Sequence, residues 1–367
     1  MSERVVQVTS SSMPPIEDYI QEISSIWESR WLTNRGSKYQ ELQGKLIQYL
    51  NVPHLEMFSN GHLALEAAIS VLGLTGEIIT TPFTFASTTQ AIIRCGLTPV
   101  FCDIDPDTYT IDADKIESLI TEKTSAIMAV HVYGNVCDYQ KIDAIAKKYG
   151  LKVIYDAAHA FGVVVDGTPI GNLGDISMFS FHATKVFHTV EGGALTYGDS
   201  HLTKELTAWK QFGMYGKEDA EMIGTNAKMT EFHAAMGLCN LRYIDQEISK
   251  RKAVVQRYRK HLEGVKGITL MNEKEGIKYN YAYMPVIFDK EQFGMSRDEV
   301  EERLREKNIF ARKYFYPLTS EFQVCKDNFK IQETPVAYDI ASKVLTIPLY
   351  ADLEMETVDY ICDLILK

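Results

Sequence analysis

Between about residue 50 and residue 200 the chain alternates short apolar runs with stretches of helical spacing, and this alternation constrains its fold more than any other feature. The strand candidates are 77–81, 99–104, 126–133, 152–156, 176–181 and 194–197. Helical stretches lie between them, at 62–72, 87–95, 113–119 and 139–149. Strands bracketing helices predict an α/β fold with a mostly parallel sheet covered on both faces. In such sheets a ligand sits beyond the carboxyl ends of the strands.

After residue 229 the pattern changes. A long helical stretch from Thr230 to His261 passes through Ser249-Lys250-Arg251-Lys252 and leads to a second unit. That unit has a strand-like run at 281–288 and helices at 298–307 and 354–366, the pattern of a smaller α+β domain. The expected division is a large domain over 1–245, with an N-terminal arm, and a small domain over 246–367. The chain shows no internal repeat and no low-complexity linker.

With 46% hydrophobic residues among 367, the chain can bury a large core. A formal net charge of −11 without a basic cluster excludes nucleic acid as the expected partner. No apolar stretch approaches membrane-spanning length, so no membrane partner is expected. The six cysteines have no paired spacing, which fits reduced thiols and a cytoplasmic location. His159 and His182 lack zinc-ligand spacing, and no metal is expected. A nicotinamide dehydrogenase needs Gly-x-Gly-x-x-Gly after an early strand, and the chain has none.

Two residues carry the chemistry. Asp156 ends the run Lys152-Val153-Ile154-Tyr155, and Lys185 follows a second apolar run just before Glu191-Gly192-Gly193. A pyridoxal phosphate enzyme needs such a pair: the lysine holds the cofactor through its amine, and the carboxylate keeps the ring nitrogen protonated. The pair therefore points to an aminotransferase. Asp156 also suits a helix N-cap, and both readings stand at this point. Ser180, five residues before Lys185, is placed to meet a phosphate while the lysine reaches the aldehyde carbon. Ser59-Asn60-Gly61-His62 precedes a helical stretch whose free N–H groups form an anion site, although the fragment alone reads as an ordinary cap turn. Phe85, in Thr81-Pro82-Phe83-Thr84-Phe85, could stack on a flat ring, but taken alone it reads as a core aromatic.

Together these motifs resemble the DegT/DnrJ/EryC1/StrS family of nucleotide-sugar aminotransferases. The resemblance runs from Trp31-Leu32-Thr33-Asn34-Arg35-Gly36 through Pro99–Pro106 and Asp156-Ala157-Ala158-His159-Ala160. It is densest at Ser180–Lys185 with Glu191-Gly192-Gly193-Ala194, and it continues at Gly224–Met229 and Ile347-Pro348-Leu349-Tyr350. It implies the aspartate-aminotransferase fold, pyridoxal 5'-phosphate as cofactor, and a homodimer with both active sites at the interface. Lys185 would then be the catalytic lysine and Asp156 the ring-nitrogen partner. Phe85 would stack on the ring, and Gly61, His62 and Ser180 would bind phosphate with Asn226 of the neighbouring subunit. His62 stands where the family often has Thr. His159 stands where it often has Gln, near the ring hydroxyl. A dehydratase branch carries histidine in place of the lysine, and Lys185 excludes it.

Within the family, Trp31–Asn34, Phe181–Lys185 and Tyr314-Phe315-Tyr316-Pro317-Leu318 look like the VioA-type branch. That branch aminates C4 of dTDP-4-keto-6-deoxyglucose with L-glutamate as donor, for O-antigen or other deoxyamino-sugar synthesis. Arg35, Lys313 and Tyr314 are the candidate contacts to a nucleotide-linked keto sugar. The competing readings are a C3-specific enzyme, one using a UDP- or GDP-linked sugar, and a regulatory protein that keeps the cofactor without doing chemistry.

Overall fold

A computed structural model describes residues 5–216 and 218–367. Its centre is a seven-stranded sheet. In chain order the strands are β1 (His54–Phe58), β2 (Glu77–Thr80), β3 (Thr98–Phe101), β4 (Thr124–Val130), β5 (Lys152–Asp156), β6 (Ile176–Ser180) and β7 (Gly193–Tyr197). In space they run β1-β7-β6-β5-β4-β2-β3, and β7 alone is antiparallel to its neighbours. Strands buried on both faces read as continuous apolar runs rather than alternating ones, which is why the sequence revealed most of them.

Two helices precede the sheet, α1 (Ile16–Ser29) and α2 (Ser37–Leu50), and neither they nor β1 were expected from the sequence. β1 hid because its middle residue, Glu56, is charged yet fully buried. Its carboxylate meets the Lys210 ammonium, which also donates to the Tyr39 hydroxyl and the Met57 carbonyl, each at 2.7 Å. A buried charge is tolerated only when paired and hydrogen-bonded, and no local pattern announces the partner. The covering helices include α3 (Gly61–Val71), α4 (Ala86–Arg94), α5 (Tyr139–Tyr149) and α6 (Leu202–Trp209).

The long helix α7 (Glu231–Leu262) belongs to two cores. Ala234, Leu238, Ile244 and Ile248 pack with the large sheet. Val254, Val255, Tyr258 and Leu262 pack with a second core. That second core lies on a three-stranded antiparallel sheet of β8 (Ile268–Leu270), β9 (Met284–Phe288) and β10 (Val344–Ile347), with α8 (Arg297–Arg305) and α9 (Met355–Leu366). Ser296 and Glu299 close a reciprocal cap at the start of α8. The N-terminal residues join the same unit: Val6 bridges Ile309, and Leu349 N–H donates to the Val8 carbonyl at 3.0 Å. The segment after β9 and α8 then returns to the large core, where Phe315 and Leu318 are buried and Thr319 N–H donates to the Pro82 carbonyl.

Parallel strands point their carboxyl ends the same way. Phe58, Val130, Asp156 and Ser180 therefore finish along one edge, and the loops that follow carry the polar residues of interest.

Burial fixes several histidines as neutral in the fold. His131 is pushed down to about 3, and His159 and His188 are also lowered, in each case chiefly by burial. The unfolded chain then takes up protons near pH 6.5 that the folded chain refuses, so stability falls as pH drops below that value. For His131 the cost should be about 1.4 kcal/mol at one pH unit below 6.5. Chemical denaturation at pH 7.5 and 5.5 checks this: the loss between the two should shrink by about that amount in His131→Asn.

Candidate active site

At one end of the strand edge the start of α3 faces Ser180. Asn60 caps the helix by accepting from Leu63 N–H at 2.8 Å. The first two helical residues, Gly61 and His62, keep N–H groups with no intrahelical acceptor. The approach is close because two glycines permit it. A Cβ on Gly61 would lie 3.0 Å from Met178 Sδ and 3.3 Å from Ser180 Cβ. One on Gly193, the register partner of both Phe58 and Ser180, would lie 2.6 Å from Gly61 N. Paired N–H groups, a helix dipole and the Ser180 hydroxyl make a donor set suited to a phosphate ester.

His62 contributes its backbone to that set, but its ring is engaged elsewhere. Nε2 lies 3.0 Å from Glu66 Oε1, and Nδ1 lies 2.9 Å from the Ser87 hydroxyl. Glu66 also holds Arg94 at 2.5 Å. The imidazole thus ties α3 to α4, which corrects any picture of it as a side-chain phosphate ligand.

Asp156 lies at the middle of the edge, buried. The Thr88 hydroxyl donates to its Oδ2 at 2.7 Å, and Ala158 N–H donates to its Oδ1 at 3.1 Å. Burial pushes the carboxyl up from its ordinary value, while these two donors and the Lys185 charge oppose the rise. No helix begins here, since turns follow the strand, so the N-cap reading of Asp156 does not hold. The core reading of Phe85 taken alone does not hold either. The residue is 59% exposed at the start of α4, not in the core, and presents an open aromatic face.

His159 is buried beside Asp156, and Tyr133 N–H donates to its Nδ1 at 3.0 Å. Burial and the Lys185 charge hold it neutral, so the proton sits on Nε2 and that atom is a donor. Its ring is parallel to Phe315 at 5.8 Å and edge-on to Tyr283 at 4.8 Å. Lys185 closes the site from the loop after β6: its Nζ donates to the Tyr283 hydroxyl at 3.2 Å. Ala158, His159, Thr184, Lys185 and Tyr283 line a small cleft around that amine.

A larger cavity of about 430 Å³ opens beside this cleft, lined by Phe85, Arg312, Lys313, Tyr314 and Tyr316. The expected sugar contacts divide here. Tyr314 lines the cavity, with its ring 5.7 Å from Tyr283. Lys313 lines it too, but its ammonium is held by Asp298 at 2.7 Å and Glu301 at 2.9 Å. Arg35 lies beside the buried Glu56, 3.9 Å away, and donates to Thr207, so the chain does not bring it to Lys185. Asn226 is exposed next to Ala227, whose carbonyl accepts from Ser59 N–H. The sequence reading did not single out Arg312, which also lines the cavity. It is exposed, lies 5.8 Å from the Tyr314 ring, and has no carboxylate partner among the described residues. Thr88 and Tyr283 were missed as well. The spacing of Thr84 and Thr88, one helical turn apart, was the available signal for the first; nothing local marked the second.

A carboxylate for a ring nitrogen, a lysine beside it and an anion cradle beyond define a pyridoxal-phosphate-dependent aminotransferase built on the α/β fold of that class. The chain belongs to the DegT/DnrJ/EryC1/StrS aminotransferase family, whose model matches residues 15–366. It is 42% identical to a dTDP-4-amino-4,6-dideoxy-D-glucose transaminase of Shigella dysenteriae, covering 98% of both chains. It is also 42% identical to the Escherichia coli protein of that name, over 100% of this chain and 99% of the other. Among solved structures it superposes on DesI in the presence of its TDP-sugar product with TM-score 0.95 and 32% identity, covering 99% and 92% of the two chains.

The cradle gives a direct test. Gly193→Ala would drive a methyl group against the backbone at Gly61. Losing one hydrogen bond to a charged phosphate should weaken pyridoxal phosphate binding about tenfold or more. Titrating the apoprotein with cofactor and following visible absorbance checks it; wild-type affinity would show that Gly61 N–H is not a phosphate donor.

Proposed function

We propose that the enzyme transfers an amino group from L-glutamate to C4 of a nucleotide-linked 4-keto-6-deoxy sugar, with dTDP-4-keto-6-deoxyglucose as substrate and dTDP-4-amino-4,6-dideoxyglucose as product. One observation carries the reading: Asp156, Lys185 and the open start of α3 gather along one sheet edge, in a chain 42% identical over its length to two transaminases named for that product.

Bound there, the cofactor supplies a carbonyl for amine exchange and a cationic ring that stabilises charge at the reacting carbon. The protein's part is positional. Lys185 Nζ would hold the cofactor and would be the group that accepts and returns a proton at the reacting carbon. Asp156 would keep the proton on the ring nitrogen, and His159 Nε2 would be the donor for the ring hydroxyl. Phe85 covers one face of the ring. Gly61 N–H, His62 N–H and Ser180 Oγ take the phosphate. Arg312 is the free cation for the sugar's diphosphate, in place of Arg35 or Lys313.

The active form is a homodimer in which Asn226 completes the partner's phosphate site. Support comes from apolar side chains left exposed on one chain: Ile16, Ile20 and Trp27 along α1, then Trp31, Leu32, Phe212 and Ile223. Six free cysteines suit a cytoplasmic enzyme.

A panel of nucleotide-linked keto sugars with glutamate tests the reading. The 4-keto dTDP sugar should give an equatorial C4 amine by NMR, on a protein that sediments as a dimer, and Lys185→Ala should give none. Turnover only of a 3-keto or a GDP-linked sugar would reassign the substrate.

The charge argument makes a separate expectation. Arg312→Gln should raise KM for the sugar nucleotide about tenfold with little loss of kcat, as for a binding contact made equally in ground and transition states. Lys313→Gln should change KM much less.

A further inference from the structure

Thr88 lies in the first turn of α4, fully buried. A threonine inside a helix commonly turns its hydroxyl back to the preceding turn's carbonyl. Here the oxygen instead sits between two side chains, 2.7 Å from Asp156 Oδ2 and 2.8 Å from the Thr84 hydroxyl. Proton accounting gives the chain a direction. An ionised carboxylate can only accept, so Thr88 must donate to Asp156, and Thr84 must donate to Thr88. Hydroxyls in series strengthen one another. The same helix start presents Phe85, so one short element would serve both the face of a bound ring and, through Asp156, its nitrogen.

We propose that Thr88, backed by Thr84, is a positioning residue that keeps Asp156 ionised, so that the shared proton stays on the cofactor's ring nitrogen. The proposal rests on the cofactor reading above. A carboxylate buried this deeply tends to take up a proton. If Asp156 did so at the ring's expense, the ring would lose its positive charge and with it the ability to stabilise the reacting carbon. The hydroxyl favours the ionised carboxylate and so works against that transfer. Ala158 N–H gives the other direct bond, Lys185 acts on the carboxylate through space, and the carboxylate in turn helps push the buried Cys137 thiol up. Substituting Thr88 leaves all three in place.

The test is NMR of holoenzyme reconstituted with pyridoxal phosphate carrying 15N in the ring. At pH 7.5 the wild type and Thr88→Ser should both show the shift of a protonated ring nitrogen. Thr88→Val should move it towards the unprotonated value and lower kcat about tenfold, the worth of one hydrogen bond to a charged group. A residue that merely packs would lower the melting temperature and leave the 15N shift alone. A loaded Thr88→Val protein with the wild-type shift therefore overturns the proposal. Thr84→Val provides an independent measure should Thr88→Val not fold: it should move the shift the same way by less, and an unchanged shift there also overturns it. A wild type that takes up no label would remove the cofactor reading itself, an outcome distinct from either.

Discussion

The structure is organised around a carboxylate that is buried without an ion-pair partner among the described residues. Asp156 ends a central strand of a sheet covered on both faces, and taking a charge out of water there is costly. Two donors, Thr88 and Ala158 N–H, recover part of that cost, and Lys185 helps through space. A cationic ring nitrogen is the natural complement to such a group. Much else follows from accommodating it: α4 begins where the hydroxyl of its third residue, Thr88, can reach the strand, and small residues after Asp156 leave room for a flat ligand.

Helix starts do a second job. α3 offers unpaired N–H groups to an anion, and α4 offers an exposed aromatic and a buried hydroxyl. His62 links them through Ser87 while leaning on Glu66 and Arg94. The phosphate end and the ring end of the site are thus joined by side chains that need touch neither the phosphate nor the ring. The glycines at 61 and 193 permit this closeness, because any Cβ there would meet Met178, Ser180 or the backbone of Gly61.

Electrostatics of an acidic protein are decided locally. The net charge is −11, yet individual cations differ in whether a carboxylate is near. Lys313 is held between Asp298 and Glu301, and Arg35 lies near the buried Glu56. Arg312, one position from Lys313, lies against the Tyr314 ring instead. Neighbouring basic residues in one segment therefore have different charge environments, which is the ground for proposing Arg312 as the anion contact.

The sequence by itself determined the alternating sheet, the long helix from Thr230, and the pairing of Asp156 with Lys185, because apolar periodicity and strand-end residues are local signals. It missed β1, whose central Glu56 breaks the apolar run and is stabilised by Lys210, 154 residues away in the chain. Taken alone, Phe85 reads as a core aromatic, and only the family resemblance placed it at the ring, since hydrophobicity says nothing about which aromatic a fold leaves exposed. The sequence named Lys313 as a candidate contact without its ion pairs, because the carboxylates on α8 that hold the lysine come near it only through folding. Thr88 and Tyr283 entered the site for the same reason. Residue type and spacing decide which chemistry is available, but pairing, burial and exposure depend on what lies opposite, and only the tertiary structure brings that into place.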